Sequence, residues 1–283
     1  RSAKSEWPEI DLIITHFVNE AILRKAQDGK LATSVGAHEQ VAEHYNVSTC
    51  NVAVELASQI ASQTMDWKTY GGVHPAEPGN RLAASLVEDV FEQQDYRASN
   101  QQWNRSKRAA VLPEPLRPNC FDQGRFLPQS EMKLGEAWRF DVPDWKRIKG
   151  GKRSRFNGQP ILHCRVSEGS DSNKQVGSDG SDRELSAKFQ GNAVGLYVLA
   201  GPDAAVIEYS LDGNDWKQKD LFHRFSERLH YPRTVVLESG LSKGVHQLRL
   251  RLMKPSGKRG NSEAAARILH VVYNGNPVAA ESR

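Results

Sequence analysis

The sequence has few cysteines, no long hydrophobic run and little excess charge of either sign. Its three cysteines among 283 residues are odd in number and far apart. They support neither a disulfide framework nor a zinc site, and they leave the redox compartment open. No apolar run approaches the roughly 18 residues that a transmembrane helix needs. These absences predict no membrane span, no metal and no cofactor, and they leave the oligomeric state unknown.

The charged residues predict no nucleic-acid partner. The chain has 38 lysines and arginines against 34 aspartates and glutamates, a formal net charge of +4. A nucleic-acid-binding domain usually carries a larger and more clustered basic excess. One local cluster, residues 146–155 (KRIKGGKRSR), is typical of a solvated loop, with nucleic-acid binding as the alternative.

Composition and length are those of an ordinary globular protein. Hydrophobic residues make up 38% of the chain and charged residues 25%, so we do not expect a disordered protein. The length allows one large domain or two ordinary ones. The first residue is Arg1 and not Met, and we expect that the chain is processed or truncated at its start.

Residues 1–95 show the order of elements that is typical of an α/β domain with a parallel sheet. The apolar run at residues 10–18 predicts a buried strand, and residues 47–54 predict a second strand. Helical spacing of apolar residues follows each of them. The predicted helices lie at residues 19–29, 33–45, 55–63 and 82–91.

The rest of the chain divides into an irregular connection and a β-rich region. Residues 96–183 include a proline-rich stretch at 112–118 and a stretch rich in Ser, Gly and Asp at 168–182, which predict a linker. In residues 184–283, short runs are separated by Asp-Gly, Gly-Pro and Ser-Gly pairs, which predicts a β-sandwich. The six runs cover residues 185–189, 193–200, 205–211, 234–237, 247–253 and 266–272.

One histidine has an unusual setting, in residues 70–80 (YGGVHPAEPGN). His74 lies between a Gly-Gly pair and a proline, just before a helical pattern. A histidine titrates near neutral pH and can act as a general base. The same setting suits a turn histidine that caps the following helix, so the residues alone leave both interpretations open.

Residues 70–84 (YGGVHPAEPGNRLAA) resemble the last sequence block of SGNH (GDSL-type) hydrolases. In that block a His-Pro pair opens the final helix of a flavodoxin-like α/β domain. Residues 34–47 (SVGAHEQVAEHYNV) are similar to a bacterial subfamily that carries a β-rich C-terminal module. Residues 194–203, 207–213, 220–226 and 229–237 are similar to that module. The resemblance implies an α/β domain of the flavodoxin-like SGNH hydrolase fold, incomplete at its N terminus, followed by an all-β sandwich domain.

The resemblance implies a serine esterase in which His74 is the general base. The family's serine belongs to an N-terminal Gly-Asp-Ser block, which this sequence lacks, so we expect the serine upstream of Arg1 and no activity in this chain alone. The family usually has an aspartate three residues before the histidine, where this sequence has Gly71. Asp66 is then the nearest upstream carboxylate that can orient His74. Asn19, at the end of a predicted strand, is a candidate oxyanion donor, unless the family's asparagine also lies upstream.

The β-rich region predicts a carbohydrate partner. Exposed aromatic rings stack on sugar faces, and polar neighbours bind hydroxyl groups. The candidate binding residues are Trp216, His223, Arg224 and His230, although Trp216 equally suits the core of a sandwich. We expect a bacterial carbohydrate esterase, periplasmic or secreted, that removes acyl groups from a glycan. The alternative is a carbohydrate-binding or interaction protein with a non-functional hydrolase remnant.

Overall fold

The computed structural model describes residues 2–8, 10–100, 112–167, 181–253 and 263–277. The chain divides into two compact units, Arg1–Cys120 and Phe121–Arg283. The first is mainly helical with a short parallel sheet, and the second is mainly antiparallel β-sheet. No helix within the described ranges is long and apolar enough to cross a membrane.

In the described part of the first unit, two short strands pair in parallel. Strand β1 (Ile13–His16) lies beside β2 (Ser48–Asn51), with His16 opposite Asn51 at their carboxyl ends. The helices of this unit are α1 (Ser2–Glu6), α2 (Glu20–Gln27), α3 (Thr33–Tyr45), α4 (Val52–Ala61), α5 (Trp67–Tyr70) and α6 (Glu77–Asn100).

The connection from β1 to β2 has clear stop signals in the sequence. Asn19 caps the N terminus of α2. Asn46 ends α3 in the left-handed conformation, with φ 50°, which asparagine adopts more readily than most residues. The connection therefore returns the chain to the end of the sheet at which β1 begins, as a parallel pair requires.

Apolar side chains from the helices that follow the strands form the core of the first unit. Val52 and Leu56 of α4 and Tyr70 of α5 are fully buried, and Leu82 of α6 packs in the same cluster. Tyr70 also stacks on Trp67, with ring centroids 5.6 Å apart. This packing fixes the end of α5, from which the chain turns into α6.

Nine strands in the described part of the second unit form one antiparallel sheet. Its centre consists of β7 (Glu184–Ala200), with β10 (Tyr231–Leu252) on one side and β11 (Glu263–Asn276) on the other. The remaining strands are β3 (Gly124–Leu127), β4 (Met132–Leu134), β5 (Arg139–Asp141), β6 (Ile161–Ser167), β8 (Val206–Leu211) and β9 (Lys217–Asp220).

The long strands bend, so that the sheet is sandwich-like and encloses a core. The register of β10 against β7 shifts between Val236 and Glu238 and again between Ser239 and Gly244, and such bulges bend a strand. Where β7 and β11 approach most closely, a Cβ on Gly191 would collide with the carbonyl of Asn274. The enclosed core includes the fully buried side chains Phe189, Leu196, Ile207, Leu248, Leu250 and Ile268.

The structure confirms the predicted β-sandwich class and corrects its extent. The sheet begins at Gly124 and not at residue 184, because β3 to β6 lie within the predicted linker. The runs at 185–189 and 193–200 form one strand, β7, and those at 234–237 and 247–253 belong to β10. The parallel pairing of β1 with β2 agrees with the predicted order of elements. The flavodoxin-like SGNH assignment of the first unit remains a prediction.

A buried ion pair joins the loop after β7 to β11. Arg267 is 2% exposed, and its two terminal nitrogens donate to the two carboxylate oxygens of Asp203 at 2.8 and 2.7 Å. These bonds lower the pKa of the Asp203 carboxyl even though burial opposes the shift. The backbone of Asp203 also accepts a hydrogen bond from Ala265 at 2.7 Å. The pair therefore holds this loop against β11.

We predict that Asp203→Ala lowers the free energy of unfolding by about 3 kcal/mol, because it leaves the Arg267 guanidinium buried without its partner. Glu184→Ala is the matched control, since Glu184 also binds an arginine, Arg249, through two hydrogen bonds, but on the surface. That variant should lose less than about 1 kcal/mol. Urea unfolding measures both values, and equal losses would contradict a special role for the buried pair.

Candidate functional site

His74 lies in a tight turn between α5 and α6. The backbone N–H of Ala76 donates to the carbonyl of Tyr70 at 2.9 Å and closes the turn. The side chain of Asn80 donates to the carbonyl of Pro75 at 3.2 Å. Because Tyr70 is fully buried, the turn that carries His74 is attached directly to the core of the first unit.

The glycine before His74 is required by the shape of this turn. Gly71 has φ 102°, a conformation that residues with a side chain rarely adopt. A Cβ at Gly71 would also collide with the backbone nitrogen of Ala76. An aspartate, which the SGNH resemblance leads one to expect here, therefore does not fit this turn.

The side chain of His74 is exposed and has no hydrogen-bond partner within the described part of the chain. It therefore does not cap α6, which was the alternative interpretation of the sequence. An exposed imidazole at the apex of a fixed turn is accessible for proton transfer. A catalytic histidine also needs an acceptor for its second ring N–H, and the described residues supply none.

Asp66 has a local structural role. Its carboxylate accepts a hydrogen bond from the backbone N–H of Thr69 at 2.6 Å and caps the N terminus of α5. That hydrogen bond lowers the pKa of the Asp66 carboxyl. No hydrogen bond joins Asp66 to His74 in the described ranges. The capping bond is sufficient to explain an aspartate at this position, and its role in orienting the histidine stays a prediction.

Asn19 lies just after the carboxyl end of β1. Its side-chain oxygen accepts a hydrogen bond from the backbone N–H of Ile22 at 3.0 Å. Because only the oxygen of the amide can accept this bond, the cap fixes the orientation of the side chain. The amide nitrogen, which is the donor that an oxyanion requires, therefore points away from the helix N terminus. The exposed position of Asn19 is compatible with such a role.

A histidine–carboxylate pair that was not predicted from the sequence lies at the carboxyl end of β1, and its histidine is buried. Nε2 of His16 lies 3.0 Å from the carboxylate of Glu39, and Thr49 donates to the other oxygen of that carboxylate at 3.1 Å. The ring of His16 also stacks on His38 at 5.7 Å. These contacts connect β1, α3 and β2, so we assign them a structural role. The single clue in the sequence was a histidine at the end of an apolar strand.

In the second unit, Trp216 contacts two arginines of β10. The guanidinium carbon of Arg251 lies 4.3 Å from the centre of its ring, and that of Arg249 lies 5.3 Å away. Cation–π contacts of this kind stabilise a half-buried tryptophan on a sheet surface. Trp216 therefore packs against charged strand residues, and its ring is partly covered.

His223 and Arg224 lie in an aromatic cluster before β10. The ring of His223 stacks on Tyr231 with centroids 4.9 Å apart, and Arg224 lies 4.8 Å from the ring centre of Phe225. Phe225 is 49% exposed. Desolvation and then the charges of Arg233 and Arg224 lower the pKa of His223. The structure therefore brings two of the four predicted binding residues together on an accessible surface.

His230 is fully buried, which corrects its prediction as a residue that contacts a ligand. Its Nε2–H donates to the carbonyl of Lys149 at 3.0 Å, and the edge of its ring meets Trp145 at 5.1 Å. A Cβ on Gly201 would collide with the ring. Burial, together with the charge of Arg267, lowers the pKa of His230 to about 4. The side chain therefore packs the loops together as a neutral imidazole.

No protein-family model matches the chain, and no curated protein sequence matches it. Solved structures do match. A two-domain esterase (CEX) active on acetylated mannans, co-crystallized with mannopentaose, has a TM-score of 0.64 and 13% sequence identity, and the match covers 98% of this chain and 66% of that chain. A second structure of such an esterase, described without mannopentaose, gives a TM-score of 0.63 and 14% identity, with 98% and 67% covered.

These matches show the fold alone, because the sequence identity is low. The chain spans about two thirds of the length of the mannan esterase that it matches, since 66% of that chain is covered. Nearly all of this chain has a counterpart in that fold. The matches do not identify catalytic residues. Those residues have to be inferred from the geometry within each unit.

We predict that Gly71→Ala destabilises the first unit by at least about 2 kcal/mol, because it combines backbone strain with a collision at Ala76. Gly72→Ala is the matched control: its φ is 75°, but a Cβ there meets nothing within 4 Å. That variant should cost only about 1 kcal/mol. Urea unfolding followed by the helical circular-dichroism signal tests this, and equal costs would show that the collision is relieved.

We predict that His230 makes stability fall as the pH falls from 6.5 to about 4. Its folded-state pKa lies below the unfolded value of 6.5, so the unfolded chain binds the extra proton first. The stability is complete above pH 6.5, and at most about 3 kcal/mol is lost by pH 4. In His230→Asn, the free energy of unfolding should depend less on pH in this range.

His246→Asn is the control for this prediction. Burial opposes the shift, but hydrogen bonds to Ser242 and Asp212 raise the pKa of His246, so its contribution is lost as the pH rises above 6.5. Removing it should leave the slope between about pH 5 and 6.5 unchanged, since Asp212, whose pKa His246 helps to lower, titrates below this range. A slope that is equally steep in His230→Asn and in the unsubstituted protein would contradict the assignment.

Proposed function

We propose that this chain is part of an SGNH-type carbohydrate esterase that removes acyl groups from a glycan. The observation that carries the proposal is His74, an exposed imidazole on a turn that is anchored in the core by Tyr70. The fold shared with an esterase active on acetylated mannans supports the substrate class. The proposal also takes the protein to be exported, to the periplasm or outside the cell.

In the proposed mechanism, His74 is the general base for a serine. Its imidazole removes the hydroxyl proton as the serine oxygen attacks the ester carbonyl, and a covalent acyl-enzyme forms. His74 then gives this proton to the departing sugar oxygen, and the sugar leaves with a free hydroxyl group. Water attacks the acyl group in the second half of the reaction, with His74 again as the base. The proton thus returns to the serine, and the acid and the alcohol are released.

Asn19 is the proposed donor to the developing oxyanion. Its cap to α2 uses the side-chain oxygen and leaves the amide nitrogen directed outward. In open α/β sheets, ligands bind beyond the carboxyl ends of the parallel strands, which is where Asn19 follows β1. An amide N–H in that position stabilises the negative charge of the tetrahedral intermediate.

The serine in this proposal comes from residues outside this chain, because the sequence contains no Gly-Asp-Ser triplet. A base without its nucleophile supplies little of a covalent mechanism. We assign Gly71 to the turn and not to catalysis, so the acceptor that orients His74 is also expected from outside the described residues. Asp66 is not assigned to this role, because it caps α5.

We predict that the purified 283-residue chain hydrolyses p-nitrophenyl acetate no faster than buffer does, and that His74→Ala leaves this background unchanged. His270→Ala is the control for hydrolysis by a surface histidine, since His270 is exposed in the second unit. Turnover that His74→Ala abolishes and His270→Ala preserves would contradict the external serine. It would show that the chain contains its own nucleophile.

A second candidate function is favoured by one observation: the described residues supply no acceptor for the second ring N–H of His74. In this alternative the first unit is a hydrolase remnant without activity, and the chain acts through carbohydrate binding by the second unit. The two candidates differ in the effect of restoring the serine. If a longer form that contains a Gly-Asp-Ser block fails to hydrolyse acetylated mannan, the binding function is favoured.

A further inference from the structure

Two loops at one end of the second unit concentrate basic side chains. Residues 142–160 contain Lys146, Arg147, Lys149, Lys152, Arg153 and Arg155, and Asp144 is their one acidic residue. Residues 221–233, which are the loop after β9 and the first three residues of β10, add Arg224, Arg228 and Arg233, with Glu227 as the one acidic residue. Together these loops carry a formal charge of +7, whereas the whole chain carries +4. The remainder of the chain is therefore slightly acidic. We call this surface the basic loop end.

The two loops are bonded to each other and not merely close in space. The backbone N–H of Gly151 donates to the carbonyl of Arg228 at 2.7 Å, and the N–H of His230 donates to the carbonyl of Gly151 at 2.7 Å. The buried ring of His230 adds its bond to Lys149. Because these contacts are made by the backbone and by a buried side chain, they fix where the charged groups stand.

Most cations at the basic loop end have no carboxylate partner within the described residues. Within the described residues, Arg147, at 3.3 Å from Asp144, is the one member of this set with a carboxylate at salt-bridge distance. Elsewhere in the same unit, paired cations are more frequent. Carboxylates pair with Arg165, Arg183, Lys217, Arg249, Arg251 and Arg267. Cations without a carboxylate partner are thus concentrated at one end of the sheet, where their charge attracts an anionic partner.

Aromatic rings lie among these charges. Phe225 is 49% exposed beneath Arg224, and Tyr231 stacks on His223 nearby. The positive charge acts on the neighbouring histidine, because Arg233 and Arg224 help to lower the pKa of His223. Aromatic faces beside cations suit a ligand that carries both ring C–H groups and negative charges. A sugar that bears an acidic group has both.

We propose that the basic loop end binds an acidic polysaccharide, one that carries carboxylate or sulfate groups along its chain. The guanidinium and ammonium groups pair with the anionic substituents, and Phe225 contacts a sugar face. This inference takes a glycan as the partner from the proposed function and adds the charge of that glycan. It differs from the mannopentaose found with the related esterase, which is a neutral sugar.

The test measures binding by the full 283-residue chain with fluorescence anisotropy. The labelled probes are an oligogalacturonate, a sulfated galactan oligosaccharide, mannopentaose and a single-stranded DNA of matched charge. We expect an acidic oligosaccharide to bind more tightly than both mannopentaose and DNA. Affinity should fall from 0.05 to 0.5 M salt, because screening shortens the range of charge interactions. The uronate and sulfate probes distinguish the two sources of acidic groups.

The variants localise the surface. The triple variant Lys149→Gln, Arg153→Gln, Arg228→Gln removes three exposed charges from the basic loop end and should weaken binding about tenfold. The matched control is Lys133→Gln, Lys188→Gln, Lys243→Gln, which removes the same charge from exposed positions elsewhere in the second unit. This control should bind within about twofold of the unsubstituted chain.

Three results would overturn the inference. Equal loss in the two triple variants would show that net charge, and not this surface, drives binding. Mannopentaose binding as tight as that of the acidic probes would show a neutral-glycan site. DNA binding as tight as that of the polysaccharides would show a nucleic-acid or general polyanion surface. None of these results depends on ester hydrolysis, so failure here is distinct from failure of the proposed esterase.

Discussion

Arg267 carries its charge into the interior of the second unit, and the loops at one end of the sheet are arranged around its bond to Asp203. The loop that contains Asp203 also contains Gly201, on which the ring of His230 packs. His230 in turn holds the carbonyl of Lys149. One buried ion pair is therefore connected, through a neutral histidine, to the backbone of the basic loops. The conformation of those loops is therefore fixed by contacts with buried residues and not by their own sequence.

Charge is handled in two ways in this unit. On the strands and in the core, guanidinium groups meet carboxylates, so their fields largely cancel. At the loop end the fields add, because the neighbouring acidic residues are few. An unpaired charge is costly to bury, so the excess of positive charge lies where solvent or a ligand can reach it. The neutral state of His230 fits the same account, since a further buried cation beside Arg267 would be unfavourable.

The sequence contained enough information for the class of each unit but not for all of its parts. The apolar run that contains Ile13–His16 and the helix over Thr33–Tyr45 were predictable from periodicity. The strands Gly124–Leu127 and Arg139–Asp141 were not, because most of their side chains are exposed and no alternation marks them. The position of the loop at 146–155 was equally hidden, since hydrogen bonds to residues 228–230 determine it.

The candidate site residues were also predictable only in part from the sequence. The exposure of His74 follows from its Gly-Gly and proline neighbours, which force a turn. The helix-capping roles of Asp66 and Asn19 depend on a backbone N–H three residues later in each case, and both were compatible with their positions in the sequence. The burial of His230 could not be predicted, because it depends on Gly201, which lies in a different loop.

The turn before His74 also limits how this protein can change over evolution. A single substitution that restores an aspartate at position 71 meets the backbone of Ala76 and a φ of 102° at once. An aspartate variant of this turn would therefore fold poorly. With the five-residue connection between Tyr70 and Ala76, a carboxylate side chain at position 71 becomes possible only if the turn is lengthened as well. Two coordinated changes are needed where the sequence alone would suggest one.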